Sequence, residues 1–194
     1  YLSVYEQARP EHVMDSLMET TTRDTWLGYV KTSIEESAGT FDDAAALYTE
    51  YENALLSGKE FSYRRASEAA ADAPEFIVRC GGVDVCAVRL TSLPGSDLGF
   101  GKHLWQVGGI TPCEALRNLR STAVEITALA GEPVYINGIS LTDAQIAERD
   151  VPIDGISEIE TRFTDVPRLT RYRVEKMYGA ITVTNAAGDE IAPE

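Results

Sequence analysis

At 194 residues and 21.2 kDa the chain has the length of one domain, or of one domain with a helical appendage, and can bury a core without disulfide staples. Its 44% apolar and 25% charged residues exclude a disordered chain, and no run approaches the roughly 20 apolar residues of a membrane span. A net charge of −14 repels phosphate backbones and argues against direct nucleic-acid binding, while three cysteines, an odd number, point to free thiols in a reducing cytoplasm.

Tyr1–Gln7 alternates weakly and reads as an extended arm. Pro10 suits the first helical position and opens a short helix through Met18. A second helix is expected over Arg23–Ser37, with Trp26, Leu27, Val30 and Ile34 on one side and Gly39 just past its end. Thr40 is expected to cap a third, with Asp43 in the capping-box position and Ala44, Leu47, Tyr48, Tyr51 and Leu55 at helical spacing up to Gly58. Lys59–Ala73 reads as a linker. Residues 1–75 hold 15 acidic against 6 basic side chains, and 76–194 hold 16 against 11, so the helical end is the acidic end. The reading is a helical acidic subdomain over 1–73 and a sheet domain over 74–194, or one continuous domain.

Phe76–Leu90 carries two β-rich runs either side of Gly81-Gly82, which predicts a hairpin with a two-residue turn. That register sets Cys80 against Val83, Arg79 against Asp84, Val78 against Val85, Ile77 against Cys86 and Phe76 against Ala87, covered on both faces and central in a sheet. Cys80 and Cys86 then point to opposite faces and form no bridge. Thr91–Gly109 follows, 19 residues with five glycines, a long connection in which Leu104–Val107 can add a short strand and of which Ser92–Gly109 is expected to be the most mobile ordered stretch and the edge of any binding site. Thr111-Pro112-Cys113-Glu114 has the cap, Pro and Glu of a helix start. It predicts one long helix to Gly131 whose stripe, Leu116, Leu119, Ala123, Ile126 and Ala130, lies on the sheet.

Val134–Leu141 is a second hairpin around Asn137-Gly138, and Thr142 with Gln145 caps a two-turn helix ending near Arg149. A third hairpin is expected to pair Ile156–Phe163 with Arg168–Val174, matching Glu158 with Arg173 and Glu160 with Arg171. Ala180–Thr184 is a last short strand. The fold class is therefore α+β: an N-terminal segment of about three helices, then a mainly antiparallel sheet of hairpins packed by one long helix.

Cys113, near a helix N-terminus in this reading, is the best nucleophile the chain offers, with His103 as its base and Asp97 to orient that base. A Cys in a first helical turn more commonly just packs. The stretch Gly95–His103 departs from a phosphate-binding loop in its spacing and in placing His103 where a hydroxyl residue belongs. Its Leu98, Phe100, Lys102 and Trp105 read instead as a binding loop, Trp105 packed and Phe100 free for recognition. Asp150, Asp154, Glu158 and Glu160 lack the one-residue spacing of a calcium loop and read as a solvated strand face. No metal site and no cofactor are expected.

The passage Leu93-Pro94-Gly95 followed by Gly109–Arg120 is similar to the strand-to-helix passage of HicB-type antitoxin domains, without that family's basic DNA-binding tail. Tyr51–Tyr63 resembles the helix-to-strand passage of small phage head-tail joining proteins. Both resemblances imply a protein that works by binding other proteins. The expected function is a non-enzymatic acidic protein, regulatory, inhibitory or antitoxin-like, that contacts a protein partner, possibly basic, through its acidic helices or its glycine-rich loop. The alternatives are a small cysteine-dependent enzyme using Cys113 and His103, and a phage-type structural or head-tail joining component, located in the virion rather than the cytoplasm.

Overall fold

A computed structural model describes residues 6–99, 102–155 and 166–193. Its contacts divide the chain into two compact units, the first made of residues 1–37 and 48–118, the second of 38–47 and 119–194. The class is α+β, with short helices and antiparallel sheets.

The first unit begins with α1 (Pro10–Thr20), opened by Pro10 in the first turn, and α2 (Arg23–Ser37), whose expected bounds are those observed. Glu6 and Gln7 are helical rather than part of an extended arm. The α2 stripe Trp26, Leu27, Val30, Ser33 and Ile34 is buried, each large apolar side chain contributing about 1.5–3 kcal/mol. The third helix, α3 (Ala44–Tyr51), is shorter than expected and widens into one π turn over Glu52–Leu56. Its cap is Asp43, whose Oδ1 accepts from the Ala45 and Ala46 amides at 3.1 and 3.0 Å, and not Thr40. Arg23 donates to the carbonyls of Leu56 and Lys59 at 2.9 and 2.8 Å and lies 5.3 Å over the Phe61 ring.

The expected linker contains a strand. β1 (Phe61–Arg65) pairs with β2 (Glu75–Cys80), which pairs with β3 (Val83–Ser92), which pairs with β4 (Trp105–Pro112), in the order β1-β2-β3-β4. The expected boundary after residue 73 thus falls between two paired strands. The FSYRR run has the alternation of an edge strand: Phe61 and Tyr63 turn inward, Phe61 stacking on Trp26 and Tyr63 meeting Phe76 edge-on, while Ser62 and Arg64 turn outward. The Tyr63 hydroxyl donates to Asp15 at 2.5 Å, and burial followed by that carboxylate raises its pKa to about 12.

The first hairpin has the expected turn and the expected Cys80/Val83 and Arg79/Asp84 matches, but a bulge then shifts the register to Val78/Cys86, Ile77/Ala87 and Phe76/Val88. Cys86 therefore shares the inner face with Val78 and Cys80, contrary to the expectation, and all three are fully buried; the cysteines are free thiols. Ala87 moves to the outer face beside Ile77, and that face is only partly covered. β4 carries a second bulge, with Arg89 opposite Gly109 and Leu90 opposite Val107. Gly108 is the extra residue, and the Thr91 methyl lies 2.6 Å from where a Cβ would sit, so a larger residue there requires the Thr91 side chain to move.

The long helix expected from Thr111 to Gly131 is absent. Thr111 and Pro112 finish β4, where a missing N–H is harmless at a sheet edge; one 3-10 turn follows at Leu116–Asn118, and β5 (Thr122–Leu129) replaces the rest. The reason is that Thr122, Val124, Ile126 and Thr127 are β-branched, and burial alternates along the run, with Val124, Ile126 and Ala128 buried on one side.

In the second unit the order is β5-β9-β8, with β9 at Leu169–Met177 and β8 at Ile146–Val151, alongside β10-β6-β7 from Val183–Asn185, Val134–Ile136 and Ile139–Ser140. Asn137 and Gly138, at φ 49° and 81°, make the expected two-residue turn of the β6/β7 hairpin. The Thr142/Gln145 capping box is present, but it starts a single 3-10 turn at Asp143–Gln145 and then β8, not a two-turn helix. Residues 156–165, and with them Glu158 and Glu160, lie outside the described residues. Among the described residues the neighbours of β9 are β5 and β8, and Arg173 pairs with Glu125 and Arg171 with Glu148, the latter at 2.8 Å. The core here is Val124, Ile126, Val134, Ile136, Tyr172, Val174, Met177 and Val183, with Phe41 packed against it.

Candidate functional site

The outer face of the first unit's sheet is built from three rows of side chains set by the pairing register. Arg79 and Asp84 form the first, Arg64, Ile77, Ala87 and Thr111 the second, and Glu75, Arg89 and Gly109 the third. Asp84, 18% exposed, is the focus of the first row: Arg79 Nε donates to Oδ1 at 2.8 Å, while Arg64 and Arg117 reach Oδ2 at 3.2 and 3.5 Å. Arg79 also donates to the Gly82 carbonyl at 2.8 Å, which uses up much of its fork. Arg64 and Arg117 are held differently. Each touches Asp84 through one nitrogen and stays 46% and 59% exposed, so two guanidiniums sit side by side with donors to spare.

In the third row Arg89 is paired with Glu75 at 3.5 Å and is 67% exposed. The face thus sets four guanidiniums against the carboxylates of Asp84 and Glu75, an electropositive island on a chain of net charge −14. Two grooves cross it. One, of about 480 Å³, runs from Arg64 over Ile77 to Arg89 beneath the Ala66–Ala73 loop, with Glu68 at its rim. The other, of about 310 Å³, lies over Ala87, Arg89, Gly108 and Gly109.

Cys113 borders this face, because its amide donates to the Val85 carbonyl at 2.9 Å beyond the end of β4. It occupies no helix N-terminus. Burial pushes its thiol up, Asp84 adds to that, and Arg117 and Arg64 oppose it. His103 precedes β4 and Cys113 follows it, so a strand roughly 25 Å long separates the two. Asp97 caps the Gly99 amide at 2.8 Å, a local turn. The structure does not bring the three together.

Within the glycine-rich stretch, the Leu93 amide donates to the Leu104 carbonyl at 2.7 Å and the Ser96 hydroxyl bridges the same two residues, and the short strand expected over Leu104–Val107 is the start of β4, which runs on from Trp105 to Pro112. Trp105 Nε1 donates to the Ala8 carbonyl at 3.0 Å, Leu98 is 41% exposed, the Lys102 backbone bonds those of Leu98 and Gly99, and Phe100 lies outside the described residues. Among the described residues no group of three or more His, Cys, Asp or Glu is placed to hold a metal ion, and no helix is long and apolar enough to cross a membrane.

The arginine cluster escaped the sequence reading because its members come from three strands and a turn. Only the Arg79/Asp84 match inside one hairpin was visible. Compared with known protein families, characterised proteins and solved structures, the chain matches none.

Proposed function

We propose that the protein is non-enzymatic and acts by contact with a protein partner, with the outer face of the β1–β4 sheet as the contact surface. The observation that carries this reading is the pair Arg64 and Arg117, which share Asp84 Oδ2 yet keep most of their donors exposed. Arginines held this way lose little entropy on engaging a carboxylate and are the side chains best suited to a protein interface. The partner surface that complements this face is acidic, opposite in sign to what the overall charge suggests. Three free cysteines support a cytoplasmic setting.

The test is copurification from the source cells with the wild type and with an Arg64→Glu/Arg117→Glu variant shown to fold by circular dichroism. A partner retained by the wild type and reduced at least tenfold by the variant is the expected result. Equal retention by both sinks the reading.

A further inference from the structure

We infer that the outer edge of β4 accepts an extended acidic segment of a partner protein as a fifth strand, with an Asp or Glu carboxylate lying over Gly109 against Arg89. This rests on the protein-contact reading above and names the partner's chemistry.

The two edges of the sheet differ. β1 carries Arg64 and Arg65, charges of the kind that guard an edge against added strands. β4, Trp-Gln-Val-Gly-Gly-Ile-Thr-Pro, is eight residues long without one charged side chain, and Gln106–Gly109 and Thr111 are exposed. Among the described residues no strand pairs with its outer side. Such an edge offers a row of backbone donors and acceptors to an incoming chain.

The side chains of an added strand alternate between the two faces, and the structure prepares each face for a different chemistry. On the outer face the next position in the third row adjoins Gly109, where a Cβ would meet nothing within 4 Å. Through that gap an added carboxylate reaches Arg89, whose contact with Glu75, at 3.5 Å, is long and exposed. On the inner face a groove of about 310 Å³ between α1 and β4 sets Val13, Leu17 and Val107, the last 38% exposed, among His12, Ser16 and Thr20. It takes the apolar residue that alternation supplies. A second copy's own β4 holds no Asp or Glu to lay over Gly109, which disfavours edge-to-edge pairing of two copies.

The probes are capped seven-residue peptides alternating Val with Glu, Val with Lys, and Val with Glu around a central Pro. Fluorescence anisotropy measures binding, and amide hydrogen exchange maps it. The Val/Glu peptide is expected to bind at least tenfold tighter than either control and to slow exchange at alternate β4 amides between Gln106 and Thr111. Arg89→Gln and Gly109→Val are each expected to weaken it tenfold or more, Gly109→Val with its melting temperature unchanged because the position is open. Equal binding of Val/Glu and Val/Lys, protection mapped elsewhere, or wild-type affinity in Gly109→Val each overturn the proposal. So does a dimer in sedimentation whose β4 amides are protected before peptide is added, since the occupant is then a second copy. Failure here with copurification still lost in Arg64→Glu/Arg117→Glu overturns the added strand alone and leaves the protein-contact reading standing.

Discussion

Asp84→Asn removes the carboxylate on which three guanidiniums converge, and the structure apportions the loss among them. The 2.8 Å contact from Arg79 Nε, whose side chain is 34% exposed, is a charge-assisted hydrogen bond worth about 1.5 kcal/mol. Arg64 at 3.2 Å and Arg117 at 3.5 Å are exposed pairs, worth about 0.3 kcal/mol each. The total is about 2 kcal/mol, or roughly 4–8 °C in Tm for a chain of this length. Differential scanning calorimetry at 0.1 and 1 M NaCl separates the parts, because salt screens the two exposed pairs far more than the half-buried one. Arg79→Ala should then reproduce most of the loss at both salts, and Arg117→Ala almost none. An Asp84→Asn cost below about 0.5 kcal/mol, or an Arg117→Ala cost equal to that of Arg79→Ala, refutes this apportioning. The same variant should increase capture of an acidic partner, since the cluster loses its internal counter-charge.

Ser33→Ala strips the acceptor from the buried Ala115 amide, bonded to Ser33 Oγ at 2.9 Å, and should cost about 2 kcal/mol in urea unfolding; a neutral result means the amide has found another partner. Burial, and then the nearby Cys113, push the Cys86 thiol to about 12 from a reference of 9.0. The unfolded chain ionises first, so this contribution to stability is whole below pH 9 and falls between 9 and 12, by up to about 1.4 kcal/mol per pH unit. Cys86→Ala should flatten the decline just above pH 9, before the tyrosines add to it, and an unaltered slope counts against the assignment. Iodoacetamide should modify Cys113 ahead of the buried Cys80 and Cys86, slowly at pH 7 and faster past pH 9; rapid neutral labelling contradicts the raised thiol.

How much of this was legible in the sequence depends on how local the determinants are. The helix over Arg23–Ser37, the turn at Asn137-Gly138 and the Thr142/Gln145 box are written in neighbouring residues, and each was found where expected. Thr111-Pro112-Cys113-Glu114 is equally local, yet it misled. A Thr-Pro pair ends an edge strand as readily as it starts a helix, and the alternation of Val124, Ile126 and Ala128 was outweighed by a stripe of Leu and Ala at helical spacing. The two bulges, at Val85/Cys86 and at Gly108, decide which residues reach the outer face, and neither leaves a local signature beyond one glycine. The candidate site depends on those bulges and on long-range pairing, so only Arg79 and Asp84 were found in advance.

Residues 38–47 belong with the second unit, although the chain returns to the first for 48–118 before the second resumes. The segment is bound there by named groups. The Asn137 amide donates to the Phe41 carbonyl at 2.8 Å, the Tyr178 amide donates to Asp42 Oδ1 at 2.9 Å, and Phe41 lies on the core. The second unit therefore cannot assemble from one continuous stretch. On a ribosome this segment emerges early and stays without its bonding partners until residues beyond 137 and 178 have been made. Prior folding of residues 48–118 replaces a long floppy loop by a compact one and lowers the entropy lost when the second unit closes on its early strand of chain. The threading thus favours assembly of the first unit before the second, and a cut at residue 118 would leave residues 38–47 of the second unit on the fragment that carries the first.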